Sequence, residues 1–135
     1  MAPPLSVGDS ATLRKLMLDA DVRLFAQLSL DTNPVHLNDE FAAQTRFGQR
    51  ICPGMLYSSL ISAVIGTQLP GPGTIYVKQT LRFLKPVFIG DEVTAVVTVA
   101  KLLPARQMAI LTTECFNQHQ VAVIRGEAVV LLPSV

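Results

Sequence analysis

The stretch Gly54-Met-Leu-Tyr-Ser-Ser-Leu-Ile-Ser-Ala-Val-Ile-Gly-Thr-Gln-Leu69 is apolar or small around its whole circumference when wound as a helix. Such a helix has no polar face to turn to water, so it must be buried by the rest of the chain. Pro53 suits its first helical position, where the missing N–H would have had no partner within the helix. The turn sequence Pro70-Gly71-Pro72-Gly73 ends it. From Thr74 the period changes to two: Ile75, Val77, Leu81 and Phe83 alternate with Tyr76, Lys78, Thr80 and Arg82. Strand-like runs follow at 91–103, 107–118 and 121–132, broken by Gly90-Asp91, by Pro104 and by the polar residues 117–120. A fifth strand is expected at Ser10–Leu16. One apolar helix beside an antiparallel sheet predicts an α+β domain whose sheet curls around the helix.

The 135 residues leave room for one domain, 1–135, since domains typically run to roughly 100 to 200 residues. Hydrophobic residues make up 50% and charged ones 16%, which supplies a core and excludes disorder. A net charge of +1 with no basic run gives no electrostatic source for binding nucleic acid or an anionic membrane. Small-molecule and protein partners remain. So apolar a small chain has surface for a second copy to cover, and a homo-oligomer is expected. Two cysteines, Cys52 and Cys115, are too few for a disulfide scaffold and fit a reducing compartment. The start MAPPLSVGDS has neither the basic residues nor the apolar run of a signal peptide, and no stretch reaches 18 apolar residues. A cytoplasmic protein is expected, or an organellar one if a transit peptide has been removed.

Before the apolar helix, Asp19–Ser29 reads as a short amphipathic helix with Asp19 as N-cap and Val22, Phe25, Ala26 and Leu28 near one face. A second short helix is expected after Asn38, with Asp39 and Glu40 in its first turn and Gly48 ending it. Between them, Asp31-Thr-Asn33-Pro34-Val-His36 packs an acid, an amide and an imidazole into one loop stiffened by proline. A carboxylate and an imidazole on one water supply a general base and a general acid, and Asn33 can both accept and donate to orient them. The same residues also read as an ordinary turn followed by a half-buried histidine. At Cys52-Pro53-Gly54 the free N–H groups of a helix start can hold negative charge, and Gly54 allows close approach of a ligand oxygen. This is a candidate oxyanion hole, or else plain helix-start chemistry. Cys52 there is either a thiol activated by the helix or an inert buried one.

The ordered set D-x-N-P-x-H with Ala42 beyond it, R-I-C-P-G-M-L, L-P-G-P-G-T-I-Y, Q-T-L-R-F, P-V-F-I-G-D-E-V and G-E-A-V-V resembles the MaoC-like (R)-specific enoyl-CoA hydratases of the hotdog fold. The likeness runs over nearly the entire chain. It implies a hotdog homodimer that reversibly adds water to a trans-2-enoyl-CoA thioester to give the (R)-3-hydroxyacyl product, with no cofactor. Carried over by position, Asp31 activates the water, His36 shares it and delivers a proton to the α carbon, and Asn33 fixes the pair. The Gly54 N–H holds the thioester oxygen, and Ser62, Ile65 and Val130 line the acyl pocket or else read simply as core residues.

Two positions depart from the family pattern, which usually has Gly before the catalytic Asp and His before the helix Gly. Here they are Leu30 and Pro53. If that Gly serves a positive φ, Leu30 is strained. The alternatives are a hotdog thioesterase and a non-catalytic acyl-binding protein. Against the first, 54–68 carries no Asp, Glu or His; against the second, Asp31, Asn33 and His36 are intact. No G-x-S-x-G, Walker or H-E-x-x-H motif is present, and His36, His119 and two distant cysteines make no metal-ligand cluster. His119 reads as an exposed hairpin residue. Lys78 and Arg82 share a strand face that either meets the phosphates of coenzyme A or faces solvent.

Overall fold

Valine and alternating small apolar residues dominate the second half of the chain, and they build the sheet. The computed structural model describes residues 4–134, so the reading of the first three residues as lacking a signal-peptide start lies outside the described residues. The elements run β1 (Ser10–Leu16), α1 (Asp19–Ser29), α2 (Pro34–Leu37), α3 (Asp39–Ala43), α4 (Gly54–Thr67), β2 (Ile75–Phe83), β3 (Glu92–Leu103), a 3-10 turn (Pro104–Arg106), β4 (Met108–Phe116) and β5 (Ala122–Leu131). All five strands join one antiparallel sheet in the order β1-β3-β4-β5-β2. Alternation puts Val93, Ala95, Val97 and Val99 of β3 and Ala109, Leu111, Thr113 and Cys115 of β4 on the buried face. Helix α4 packs on that face, against β3, β1 and β4, through Tyr57, Ile61, Val64 and Ile65. This is the α+β arrangement expected from the sequence.

Several local expectations are corrected. Helix α4 is not buried all round: Met55, Ser59, Ser62 and Gly66 form an open stripe, which small residues allow. Pro53 is not its first residue but the one before, in extended backbone at φ −59°, ψ 131°. Asp19 does not cap α1. Leu18 occupies that place and its N–H donates to Asp21 Oδ2 (3.0 Å), leaving Asp19 in the first turn. Asn38 does cap α3, accepting from the Phe41 N–H, but α3 ends at Ala43, and Gly48 belongs to a later turn. Four-residue α2 was not foreseen.

Strand β2 carries a bulge at Val77, since Tyr76 pairs with Val130 and Lys78 with Val129. One extra residue reverses the faces, so Tyr76 joins the side of Gln79 and Leu81 rather than that of Lys78. There the Tyr76 hydroxyl donates to Gln79 Oε1 (2.6 Å), and Gln79 Nε2 donates to the buried Thr113 Oγ1 (2.9 Å). The outer edge of β2 has no strand partner among the described residues and exposes Ile75, Val77 and Phe83.

Candidate active site

The loop from α1 to α2 is held by three side-chain-to-main-chain hydrogen bonds, each reaching two residues on. Asp31 N–H donates to Ser29 Oγ (3.1 Å), Asn33 N–H to Asp31 Oδ1 (3.1 Å) and Val35 N–H to Asn33 Oδ1 (3.2 Å). Serine, aspartate and asparagine suit such turns because their short side chains reach nearby N–H groups. Asn33 is extended (φ −54°, ψ 122°), as the following Pro34 requires, and caps α2. Leu30 takes the left-handed conformation at φ 69°, with its side chain 83% exposed. A β-carbon in that region costs about 1 to 2 kcal/mol, and an exposed side chain offsets none of it. Asp31 is exposed, and its Oδ2 has no donor among the described residues.

His36, on α2, is buried at 9% exposure. Its Nδ1 lies 2.7 Å from the Ile51 carbonyl oxygen. A carbonyl only accepts, so Nδ1 carries a proton, and in the tautomer this fixes the lone pair lies at Nε2. The main chain of the same residue is held at both ends: its N–H donates to Asn33 O (3.0 Å), and its carbonyl accepts from Arg50 Nε (2.8 Å).

Gly54 opens α4, and its N–H has no acceptor among the described residues. The Phe83 ring lies against it so closely that an added Cβ would stand 2.5 Å from Phe83 Cε1. That ring meets Tyr57 edge to face, with centroids 6.2 Å apart at 85°. The thiol of Cys52, next along the wall, is pushed up to about 12 by burial and then by the nearby Asp91 carboxylate. Of the two readings of Cys52, the structure favours the inert thiol.

His36 and Gly54 share the wall of one cavity of about 550 Å³, together with Cys52, Tyr57 and Phe83. Arg46 and Lys85 add two cations to it, and neither is in an ion pair among the described residues. The Arg46 guanidinium sits 5.4 Å from the Phe47 ring centroid. Asp31 and Asn33 lie on the loop leading to His36, outside this wall. Ser62 lines a neighbouring cavity of about 470 Å³ with Ser58, Tyr76 and Gln79, and Met55 borders both. Ile65 (2% exposed) and Val130 (0%) lie in the closed core. Lys78 borders the second cavity and Arg82 a surface recess with Arg125, so neither reaches the cavity of His36. Sequence reasoning missed Arg46, Phe83 and Lys85. No spacing signals them, because the fold alone brings residues 46 and 85 together. Among the described residues no group of three or more His, Cys, Asp or Glu side chains could hold a metal, and no helix is long and apolar enough to cross a membrane.

Residues 5–115 match the family model described as MaoC like domain. The chain is 51% identical over 127 residues to an (R)-specific enoyl-CoA hydratase of Rhodospirillum rubrum, covering 94% of this chain and 88% of that one. It is 50% identical over 132 residues to the (R)-specific enoyl-CoA hydratase of Aeromonas caviae, covering 98% of each. A solved structure described as the (R)-hydratase from A. caviae involved in PHA biosynthesis superposes at a TM-score of 0.94, with 50% identity over 98% of this chain and all of that one. The sheet-on-helix architecture and these likenesses agree: the chain belongs to the MaoC-like family and has the hotdog fold.

Proposed function

We propose that this protein is an (R)-specific enoyl-CoA hydratase, a hydro-lyase acting on trans-2-enoyl-CoA, with Asp31 and His36 as its acid–base pair, Asn33 orienting them and Gly54 as its oxyanion donor. The observation that carries the reading is the pairing, on one cavity wall, of an imidazole with a free Nε2 lone pair and a helix-start N–H with no acceptor among the described residues. Water held by Asp31 Oδ2 and His36 Nε2 attacks the β carbon. Its oxygen bonds to that carbon, one of its protons passes to Nε2, and the ring returns that proton to the α carbon; the other proton stays on the new hydroxyl. Delivery from one side makes the addition syn. Charge builds on the thioester oxygen as an enolate forms, so a fixed Gly54 N–H binds the transition state more tightly than the ground state.

Arg46 and Lys85 supply cations where the phosphates of coenzyme A can enter, a role the sequence had offered to Lys78 and Arg82. Helix α4 (Gly54–Thr67) has no carboxylate or imidazole to direct water at the carbonyl carbon, which disfavours a thioesterase. The unpaired, apolar β2 edge supports a homodimer in which that edge meets a second copy, and the family reading supports a cytoplasmic or organellar-matrix enzyme. Purified protein given crotonyl-CoA should remove the conjugated enoyl absorbance without releasing thiol. Asp31→Asn and His36→Ala should each lower the rate by about 10² to 10⁴ while the fold is kept. Thiol release instead would point to a thioesterase. Equal residual turnover in wild type and both variants would sink the reading.

A further inference from the structure

Arg50 is not on the wall of the cavity, yet its side chain is 9% exposed, against 42% to 70% for Arg14, Lys15, Arg23 and Arg125, the other cations in ion pairs. A buried guanidinium needs partners to offset its desolvation. Its Nε donates to His36 O at 2.8 Å, its Nη2 to the Asp19 carboxylate, and its Nη1 lies 3.8 Å from Asp39 Oδ1. We propose that Arg50 is a positioning residue for the acid–base pair: it joins the start of the helix that delivers Asp31 to the main chain of His36. This rests on the hydratase reading above.

Residues 50–52 form a rail along α2. Arg50 grips the His36 carbonyl, Ile51 N–H donates to Val35 O (3.3 Å), and Ile51 O accepts the imidazole Nδ1–H. The rail is itself anchored, since Cys52 N–H donates to Val87 O (2.7 Å) and Ile51 bridges to Phe88. Ring and backbone of His36 are thus fixed from one side by consecutive residues. At its far end the guanidinium holds Asp19 in the first turn of α1, and α1 ends at Ser29 with Leu30 as its C-cap, next to Asp31. Two donors at a fixed planar angle are needed to reach a carbonyl and a carboxylate together, which an ammonium cannot reproduce. Charge facing Arg50 comes from Asp19 and Asp39; Arg23 shares Asp19 from the solvent side.

The test measures kcat and KM with crotonyl-CoA for Arg50→Gln, Arg50→Lys and Asp19→Asn, alongside the His36 Nδ1–H signal in proton–nitrogen NMR. Loss of alignment by about an ångström can cost on the order of 10²-fold. Arg50→Gln should lose about 10- to 100-fold in kcat per folded enzyme with KM within about threefold, and its Nδ1–H signal should shift or broaden. Arg50→Lys should fall between that variant and wild type. If Arg50→Gln does not fold, Asp19→Asn decides, because it alters only the half-exposed end of the link; it should move the same signal and lower kcat by a smaller factor. Wild-type kcat in the folded variants, or an unmoved Nδ1–H signal, overturns the proposal. An inactive wild type would instead sink the hydratase reading, and the NMR response would still decide whether Arg50 holds His36.

Discussion

Replacing Gly54 by alanine separates the chemistry of the site from its stability. The added Cβ would stand 2.5 Å from Phe83 Cε1, 2.9 Å from Cδ1 and 3.0 Å from Cζ. Ordinary carbon contacts begin near 3.5 Å, so the ring must retreat by about 1 Å. Phe83 is 47% exposed and can swing toward solvent, at the expense of its edge-to-face contact with Tyr57. That contact is worth about 0.5 to 1.5 kcal/mol, while alanine in a helix gains up to about 1 kcal/mol over glycine. The two nearly cancel, and the denaturation midpoint should stay near wild type. Activity should not. The Gly54 N–H survives the substitution, but a methyl group and a displaced ring now crowd the place where the thioester oxygen must sit. Misplacement of about 1 Å costs on the order of 10²-fold, so kcat/KM for crotonyl-CoA should fall by about 10- to 100-fold. Urea unfolding and initial-rate kinetics on the same preparation check both halves. Turnover within threefold of wild type, with the fold intact, would show that this N–H does not face the reacting thioester.

Leu30→Gly removes a strained β-carbon worth about 1 to 2 kcal/mol and adds about 0.5 to 1 kcal/mol of chain entropy to lose, so the urea midpoint should rise slightly; a fall would refute the strain. Cys52 and Cys115 are 3% and 0% exposed, with both thiols pushed up to about 12 by burial, so neither should react with an aromatic disulfide at pH 8 until denaturant is added. Rapid labelling of the native protein would contradict this. Asp21 is held below the usual carboxylate range by Lys15 and then by the Leu18 N–H, and Asp19 by Arg50 and then by Arg23. Their contribution is complete above the unfolded value of about 3.9 and is lost as pH falls through the lower folded value. Acid unfolding should therefore shift to higher pH in Asp21→Asn, and an unchanged acid midpoint would count against the pairing.

Elements were legible where residue pattern and local geometry agree. The alternating valines of β3 and the glycine and proline breaks between strands fix the spans of the sheet, and the apolar run of α4 fixes the central helix. Register was less legible. The bulge at Val77 shows only in how β2 pairs with β5, Tyr76 with Val130 and Lys78 with Val129, and no period within β2 reports that. Asp31, Asn33 and Pro34 announced a turn because their hydrogen bonds reach only two residues. Arg50 gave no such notice: its hydrogen-bond partners are 14 and 31 positions away, and the sequence shows an arginine without showing its burial. Met55 and Ser62 looked like core residues because the open side of α4 is carpeted with small side chains rather than charged ones.

The two departures from the family pattern fall where the main chain does the task. At position 30 the chain needs a left-handed residue to turn from α1 toward Asp31, and leucine adopts φ 69° with its side chain in solvent. At position 53 proline gives up an N–H, but the neighbouring Cys52 N–H is already taken by Val87 O, and the free donor at the helix start is that of Gly54. Proline also presets the backbone at φ −59° where α4 begins. What the chain forgoes at 53 is an imidazole. His119 lies in the turn between β4 and β5, so among the described residues no imidazole other than that of His36 stands on the wall of the cavity. In the proposed reaction the proton that moves from water to the α carbon passes through His36 Nε2, so catalysis depends on the clamp that holds that ring, by Ile51 on its far nitrogen and Arg50 on its carbonyl.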